Sequence, residues 1–580
     1  MCGSRRPFLI APWIETQNWL RDPDAVALLE KNHLTPALLL RNLLDSLRSP
    51  GTGSDVRLGY MLAINVYDLF SKQSGEWVFD PAKLGFFTEL FLEVGRPVVI
   101  NLRANHFVGE GPLIAELLED QSSFACLNDG SPVREIYYSN AVFAPTFTLD
   151  ESVPLNHYRF GGFRRAAAML SEFDRRHPGI IEAVTLAGEL HHFLAELANP
   201  SAAGCFEGAQ MTDYSPASIR DFRRWLRSRH TDVRRLNERF GTRFASWDEV
   251  DAPGTDLRRD STAPLWMHMD SYADGHLPVF GWAELPANCA LQVYLDGAPV
   301  GQADYGLSRL DVYEAVDWLA DSGVGFRFDI DYRRLSPGPH HIHVVREADS
   351  GQRWLIGHMV VFTGQLAGSA EANVNFPGLD DLPAACDDRG SFAWLDHPPD
   401  SLSLIFNPYA AEWQAFRESQ VEALLMKFAQ IAVEAGLDPR KLYSHQIMPQ
   451  FEGSWNRLAF ALPPDGLAKD LLTPGIDLYG GTTLYPGIAK FVAGKSYAVP
   501  EFHPRMGKLI SKDVFRRSLE YHRDLGADFL CPYFMALRRQ HGAPTDLVNP
   551  LDALLIHPLN PALGSLFFYS ALVEFLNRRA

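Results

Sequence analysis

Residues 180–191, Ile-Ile-Glu-Ala-Val-Thr-Leu-Ala-Gly-Glu-Leu-His, constrain this chain more than any other stretch. An apolar, β-branched run of this kind is a strand buried on both faces, as in a parallel sheet. It follows a helix that ends at Arg175-Arg176-His177-Pro178-Gly179, and it stops abruptly at Gly188-Glu189. Helix, tight turn, strand, acid is one unit of a (β/α)8 barrel, whose strand C-termini carry the functional groups. A second such stretch, Ser496-Tyr497-Ala498-Val499-Pro500-Glu501-Phe502-His503-Pro504, places another carboxylate at a strand end.

Six more segments complete the set. Residues 8–13, 56–65 and 97–103 read as the first three strands, with Glu189 closing the fourth. Residues 441–446, 476–480, 496–501 and 528–534 read as the last four. Helices are expected over 24–49 (interrupted by Pro36), 81–94, 162–176, 408–435, 513–525 and 561–578, and a hairpin near 136–147. Between about 265 and 362 the period changes to two, with Asp-Gly, Pro-Gly and Ser-Gly turns between short strands. That pattern reads as a small β-sandwich. The expectation is an α/β fold: a (β/α)8 barrel in two parts, 1–262 and 364–580, around an inserted immunoglobulin-like β-sandwich domain at 263–363. This insert would serve as a carbohydrate-binding or lid module, or as a spacer or subunit contact.

A formal net charge of −18 offers no basic stripe to neutralise phosphates, so no nucleic-acid partner is expected. The six cysteines, at 2, 126, 205, 289, 386 and 531, have neither zinc-site nor disulfide spacing. The N-terminal residues lack a signal-peptide core and no run of ~20 apolar residues follows, so the expectation is a cytoplasmic protein with no membrane partner.

Tyr214-Ser215-Pro216-Ala217-Ser218-Ile219-Arg220-Asp221-Phe222-Arg223-Arg224-Trp225-Leu226 opens a helix with Ser215 as N-cap and Pro216 at its first position. Leu236-Asn237, Gly241-Thr242-Arg243-Phe244 and Ser246-Trp247 follow. This segment resembles the stretch after the fourth strand in family 42 glycoside hydrolases, the β-galactosidase-type barrels of clan A. The resemblance implies a glycosidase acting on an oligo- or polysaccharide, with catalytic glutamates at the ends of strands 4 and 7. Glu189 is then the acid/base and Glu501 the nucleophile of a retaining hydrolysis, in which one acid protonates the leaving oxygen and the other carboxylate attacks. The zinc-binding cysteine cluster of family 42 has no counterpart here, and neither cofactor nor metal is expected.

Clan A places Asn before the acid/base, where this chain has Gly188. Ala187-Gly188-Glu189-Leu190 resembles the acid-bearing strand end of β-amylases, which keeps an inverting mechanism open. A catalytically silent glycan-binding protein is a further alternative. Polar and aromatic residues near strand ends supply the candidate substrate-binding set: Trp13, Arg103, Asn105, His106, His445, Gln446, Trp455, Tyr479, His503 and Tyr533. Among them Tyr479 is a candidate for orienting Glu501. The neighbours His191 and His192 point opposite ways on a strand, which favours a structural pair over a metal site. A homo-oligomer is compatible with the insert acting as a subunit contact.

Overall fold

The computed structural model describes residues 7–14, 27–48 (less 28 and 32), 56–105, 111–192 (less 138 and 139), 211–364 (less 320 and 321), 374–396 (less 388, 389 and 392), 402–451, 457–462, 471–478, 486–503, 511–533 and 565–578. Its centre is a closed ring of eight parallel strands. These are β1 (Leu9–Ile10), β2 (Arg57–Leu58 and Tyr60–Asn65), β3 (Val98–Arg103) and β4 (Ile181–Ala187). They continue as β5 (Leu442–Tyr443 and Gln446–Ile447), β6 (Ile476–Asp477), β7 (Tyr497–Phe502) and β8 (Ala527–Pro532).

Register closes the ring without a gap. Ile10 pairs with Leu58, Leu62 with Ile100, Ile100 with Val184, and Val184 with Leu442. Gln446 then pairs with Ile476, Leu478 with Phe502, Tyr497 with Ala527, and Phe529 with Leu9. Alternation along each strand divides the apolar side chains between two sides. Leu9, Met61, Val99, Ala183, Tyr443, Ala498 and Phe529 form one cluster inside the ring, while Ile10, Leu62, Ile100, Val184, Leu442 and Val499 join the larger core beneath the helices.

The helices on the outside are α1 (Pro36–Leu47), α2 (Pro81–Val94) and α3 (Pro154–Arg176). After β4 come α4 (Pro216–Arg229) and α5 (Pro408–Glu434), then α6 (Pro486–Val492), α7 (Lys512–Leu525) and α8 (Ser565–Asn577). Helical residues at 27 and 29–31 precede a turn at His33, and Pro36 starts α1, so the expected helical segment is broken here. Thr35 caps α1, its hydroxyl accepting the Leu38 N–H, and a proline is tolerated in the first turn because its missing N–H would have no partner there. The hairpin expected near 136–147 is Arg134–Tyr137 paired with Asn140–Phe143.

The long excursion between β4 and β5 leaves before the outer helix of that barrel unit, not after it. The helix that returns against β4 is α5, which packs on α3 through Phe163 and Phe428, ring centres 4.8 Å apart. α4 lies outside α5, its Phe222 set 4.8 Å from the fully buried Trp413 ring. Asn237 shows why the phrase that follows α4 has its composition. Its side-chain carbonyl accepts the Thr242 hydroxyl and the Phe244 N–H, and its amide donates to the Phe244 carbonyl, clamping a turn made at Gly241.

The two-layer β segment has a core of its own. One sheet joins Asp304–Leu307, Gly325–Asp331, His276–Ala283 and Ala393–Leu395; the other joins Ala298–Gln302, Cys289–Leu295, Gly338–Ala348, Arg353–Thr363 and Leu402–Leu404. Leu277, Val279, Phe326, Val293, Ile342, Val344 and Val361 meet between the layers. Strands 393–395 and 402–404 pair onto these sheets, so the layers run some way past residue 363. A period of two is hard to see in strands of three residues, and this is why the sequence pattern stops short. No helix among the described residues is long and apolar enough to cross a membrane.

Candidate active site

The C-terminal ends of β3 to β8 converge on one group of buried polar side chains. At the end of β4, Ala187 and Gly188 both take left-handed backbone, φ +66° and +82°, and this turn aims Glu189 inward, 4% exposed. The Ala187 carbonyl accepts the N–H groups of Ala104 and Asn105, which pins the turn to the end of β3. Before β6, Gly475 lets three strands approach closely: a Cβ there would stand 2.0 Å from the Ser444 carbonyl oxygen and 2.7 Å from Pro500. That approach places Asp477 beside Glu501 of β7 and His445, which follows β5. One donor atom from each of Glu189, His445, Asp477 and Glu501 lies within 4.8 Å of all the others.

Hydrogen bonds assign protons within this group. His503 Nε2 lies 2.7 Å from Glu501 Oε1, and His445 Nε2 lies 3.2 Å from Glu501 Oε2. Burial pushes the Glu501 carboxyl up, but hydrogen bonds from His445 and His503 outweigh it and hold the group below the usual carboxylate range. His445 itself is held low by burial, against the pull of Glu501, and is therefore a neutral ring. A neutral ring that donates from Nε2 must accept at Nδ1. Its Nδ1 is 3.3 Å from Thr185 Oγ1, so Thr185 donates there. The same hydroxyl lies 3.2 Å from Asn101 Oδ1, a second acceptor for its one proton.

Asp477 stands differently. Burial, with the carboxylates of Glu189 and Glu501 beside it, holds its carboxyl well above the usual range, against the opposing effect of the Glu501 backbone N–H. The spacing of the four residues alone would suit one divalent cation. The two histidine N–H bonds to Glu501 instead describe a proton network, since both of that carboxylate's oxygens already face donors.

Of the residues singled out in the sequence, Glu189, Glu501, His445 and His503 meet in this group. Trp13, Tyr533 and Arg103 surround it: the Trp13 ring is 5.8 Å from His445 and 5.2 Å from Tyr533, the His503 and Tyr533 rings are 4.4 Å apart, and the Arg103 guanidinium lies 5.2 Å from the Trp13 ring. Asn105 is buried and its carbonyl is taken by Arg159, 2.8 Å away. Gln446 is buried next to β6, and neither of its amide atoms meets a hydrogen-bond partner among the described residues. His106, Trp455 and Tyr479 lie outside the described residues.

His191 and His192 are both fully buried, and burial pulls His191 down to about 4. His192 stacks on Phe147 at 4.0 Å and contacts Thr212 Oγ1 through Nδ1, as a packed structural pair does. Sequence reasoning missed Asp477, Thr185 and Asn101. Asp477 ends a pairing of two residues, too short to show as an apolar strand closed by an acid; the other two are polar residues inside apolar strands, where a hydrogen-bond role is the reason to tolerate them.

Residues 205–265 match the family model described as Beta-galactosidase, glycoside hydrolase family 42. No curated protein matches the chain significantly. Among solved structures, similarity is found to the catalytic domain of a β-amylase from Paenibacillus polymyxa, at 11% identity and a TM-score of 0.45, covering 95% of this chain and 98% of that one. It is also found to β-galactosidases from the psychrophilic Marinomonas ef1 (11% identity, TM-score 0.42, 91% of this chain and 54% of that chain) and from Rahnella sp. R3 (11% identity, TM-score 0.43, 100% and 58%). The chain thus spans little more than half the length of these two β-galactosidases. From residue 205 to residue 265 the chain is similar to the family 42 glycoside hydrolases.

Proposed function

We propose that the protein is a glycoside hydrolase that cleaves a β-linked glycosidic bond in an oligo- or polysaccharide with retention, Glu189 acting as acid/base and Glu501 as nucleophile. The observation that carries this reading is the approach of the two carboxyl groups, one oxygen of each within 4.8 Å. Retaining enzymes hold their pair about 5–5.5 Å apart, whereas inverting enzymes need about 6.5–9.5 Å to admit a water. The two histidines on Glu501 support its role, because a nucleophile must reach the anomeric carbon ionised.

In this mechanism Glu189 gives its proton to the leaving oxygen as Glu501 bonds to the anomeric carbon. Water, deprotonated by Glu189, then releases the sugar. Trp13 and Tyr533 offer ring faces for a pyranose, and Arg103, His445 and His503 its hydroxyl partners. The domain division proposed with this reading assigns the catalytic barrel to both ends of the chain and an inserted immunoglobulin-like β-sandwich, a glycan-binding or lid module, to its middle. A cytoplasmic location belongs to the same proposal.

A screen of aryl glycosides and oligosaccharides identifies the substrate. On that substrate, Glu189→Gln and Glu501→Gln each abolish turnover and leave the folded spectrum intact; near-wild-type rates in either variant overturn the assignment. The Ala187-Gly188-Glu189-Leu190 strand end favours an inverting enzyme as the second reading. Proton NMR of the first-formed anomer separates the two.

A further inference from the structure

Asp477 ends β6 with 2% of its surface exposed, and among the described residues neither carboxylate oxygen meets a hydrogen-bond donor in good geometry. A buried ionised carboxylate without donors is costly, whereas a neutral carboxyl brings a donor of its own. The neighbours decide between the two. The Glu189 carboxyl of β4 is within hydrogen-bonding reach of Asp477, a contact that becomes a bond only if one of the two acids carries a proton. Glu501 of β7 adds a second negative charge. His445, after β5, has its Nε2 3.3 Å from Asp477 Oδ2, but that ring is neutral and its N–H serves Glu501. His503 also serves Glu501, Arg103 acts on His445, and Cys531 of β8 is itself kept protonated by burial and by the charge of Glu501. Among the described residues it is the Glu501 backbone N–H that favours an ionised Asp477.

Building on the glycosidase reading, we propose that Asp477 is a positioning residue that stays protonated through turnover and donates its O–H to the Glu189 carboxylate as Glu189 gives up its own proton. Before cleavage the pair holds two protons. As the glycosidic C–O bond breaks, the proton of Glu189 passes to the leaving oxygen and Glu501 closes its bond to the anomeric carbon. One proton remains, on Asp477, hydrogen-bonded to the new carboxylate. In the second step water yields a proton to Glu189 while its oxygen displaces Glu501, and the pair holds two protons again. Asp477 thus strengthens Glu189 as an acid by stabilising its conjugate base.

The test has a spectroscopic arm and a kinetic arm. Infrared difference spectra of full-length protein, isotopically labelled at its aspartate carboxyls, should show a shifted carboxylic-acid C=O band at neutral pH that disappears in Asp477→Asn and persists in Glu501→Gln. If Asp477→Asn removes no such band, the proposal is wrong whatever the enzyme's activity. In the kinetic arm Asp477→Asn, a permanent neutral donor, keeps near-wild-type rates. Asp477→Leu, similar in size but with no donor, loses about a hundredfold on glycosides with poor leaving groups and little on dinitrophenyl glycosides, which need scant acid assistance. Equal losses on both substrate types, or an Asn variant as impaired as the Leu one, overturn the proposal. Full activity in Glu189→Gln would instead refute the acid/base role of Glu189, and the infrared result would stand apart from it.

Discussion

His503 Nε2 lies 2.7 Å from Glu501 Oε1, two residues further along the same strand end. An N–H this close to the carboxylate stabilises its ionised form, and the ring shares the task with His445 on the other oxygen. His503→Phe should therefore raise the Glu501 pKa. The ionised form is the active one, so the acid limb of the kcat/KM profile moves to higher pH, and a profile that overlays the wild type refutes the link. Stability follows the same sign: the depressed group contributes above the unfolded carboxyl value, about 4.3, and that contribution is lost as pH falls through the folded value. The variant should lose acid stability accordingly.

Thr185 reaches His445 from inside β4, 3.3 Å from Nδ1. Thr185→Val keeps the shape and removes the hydroxyl that fixes the tautomer. The ring is then free to carry its proton on Nδ1, which turns a lone pair toward Glu501. A fall in kcat of about tenfold, with KM little changed, is expected from the loss of one such orienting bond. Steady-state kinetics on the identified substrate would show this split.

Gly188 sits at φ +82° directly before Glu189. Any side chain there costs about 1–2 kcal/mol in left-handed backbone, and relief of that strain would re-aim the acid. Gly188→Ala should lower the melting temperature and reduce kcat together. Asn tolerates this conformation better than Ala, so Gly188→Asn, which restores the clan A residue, should lose less stability than Gly188→Ala.

Trp413 is fully buried on α5, with Phe222, Tyr214 and Phe416 ring centres at 4.8, 5.2 and 5.4 Å. Trp413→Ala should cost about 3–5 kcal/mol, as large aromatic truncations in cores do. Chemical denaturation would measure it. The site lies at the strand ends rather than behind the helix, so KM for the folded variant should be close to wild type.

Removing divalent ions should leave activity unchanged, because the oxygens of Glu501 already face two N–H donors. Exhaustive chelation followed by assay, with manganese and zinc added back, tests this. A loss restored by one metal would convert the four-residue cluster into a cation site.

How much of this was legible beforehand depends on length and period. β4 and β7 are long apolar runs ending in an acid, and both catalytic candidates could be read from them. β1 and β6 are two-residue pairings whose membership depends on neighbours across the ring, so periodicity gave little beyond their existence. Asp477 was hidden for a related reason. A single acid in Ile476–Leu478 reads as the polar end of a short strand until Gly475 is seen to pull that strand against Glu501. Thr185 and Asn101 look like β-formers or turn residues in sequence, and only their shared contact gives them a task. The outer sheets were legible where strands run to eleven residues, as at Gly338–Ala348 and Arg353–Thr363, and illegible at 393–395 and 402–404.

Asn407 holds both ends of the two-layer β segment at one point. Its backbone N–H donates to the Ala273 carbonyl at 3.0 Å, and its side-chain amide donates to the carbonyls of Trp266 and His268. Everything between Ala273 and Asn407 is in effect a loop with its mouth already drawn shut. A lineage could therefore exchange or discard that appendage by a single recombination event, leaving the scissile machinery and its scaffold with ends that meet.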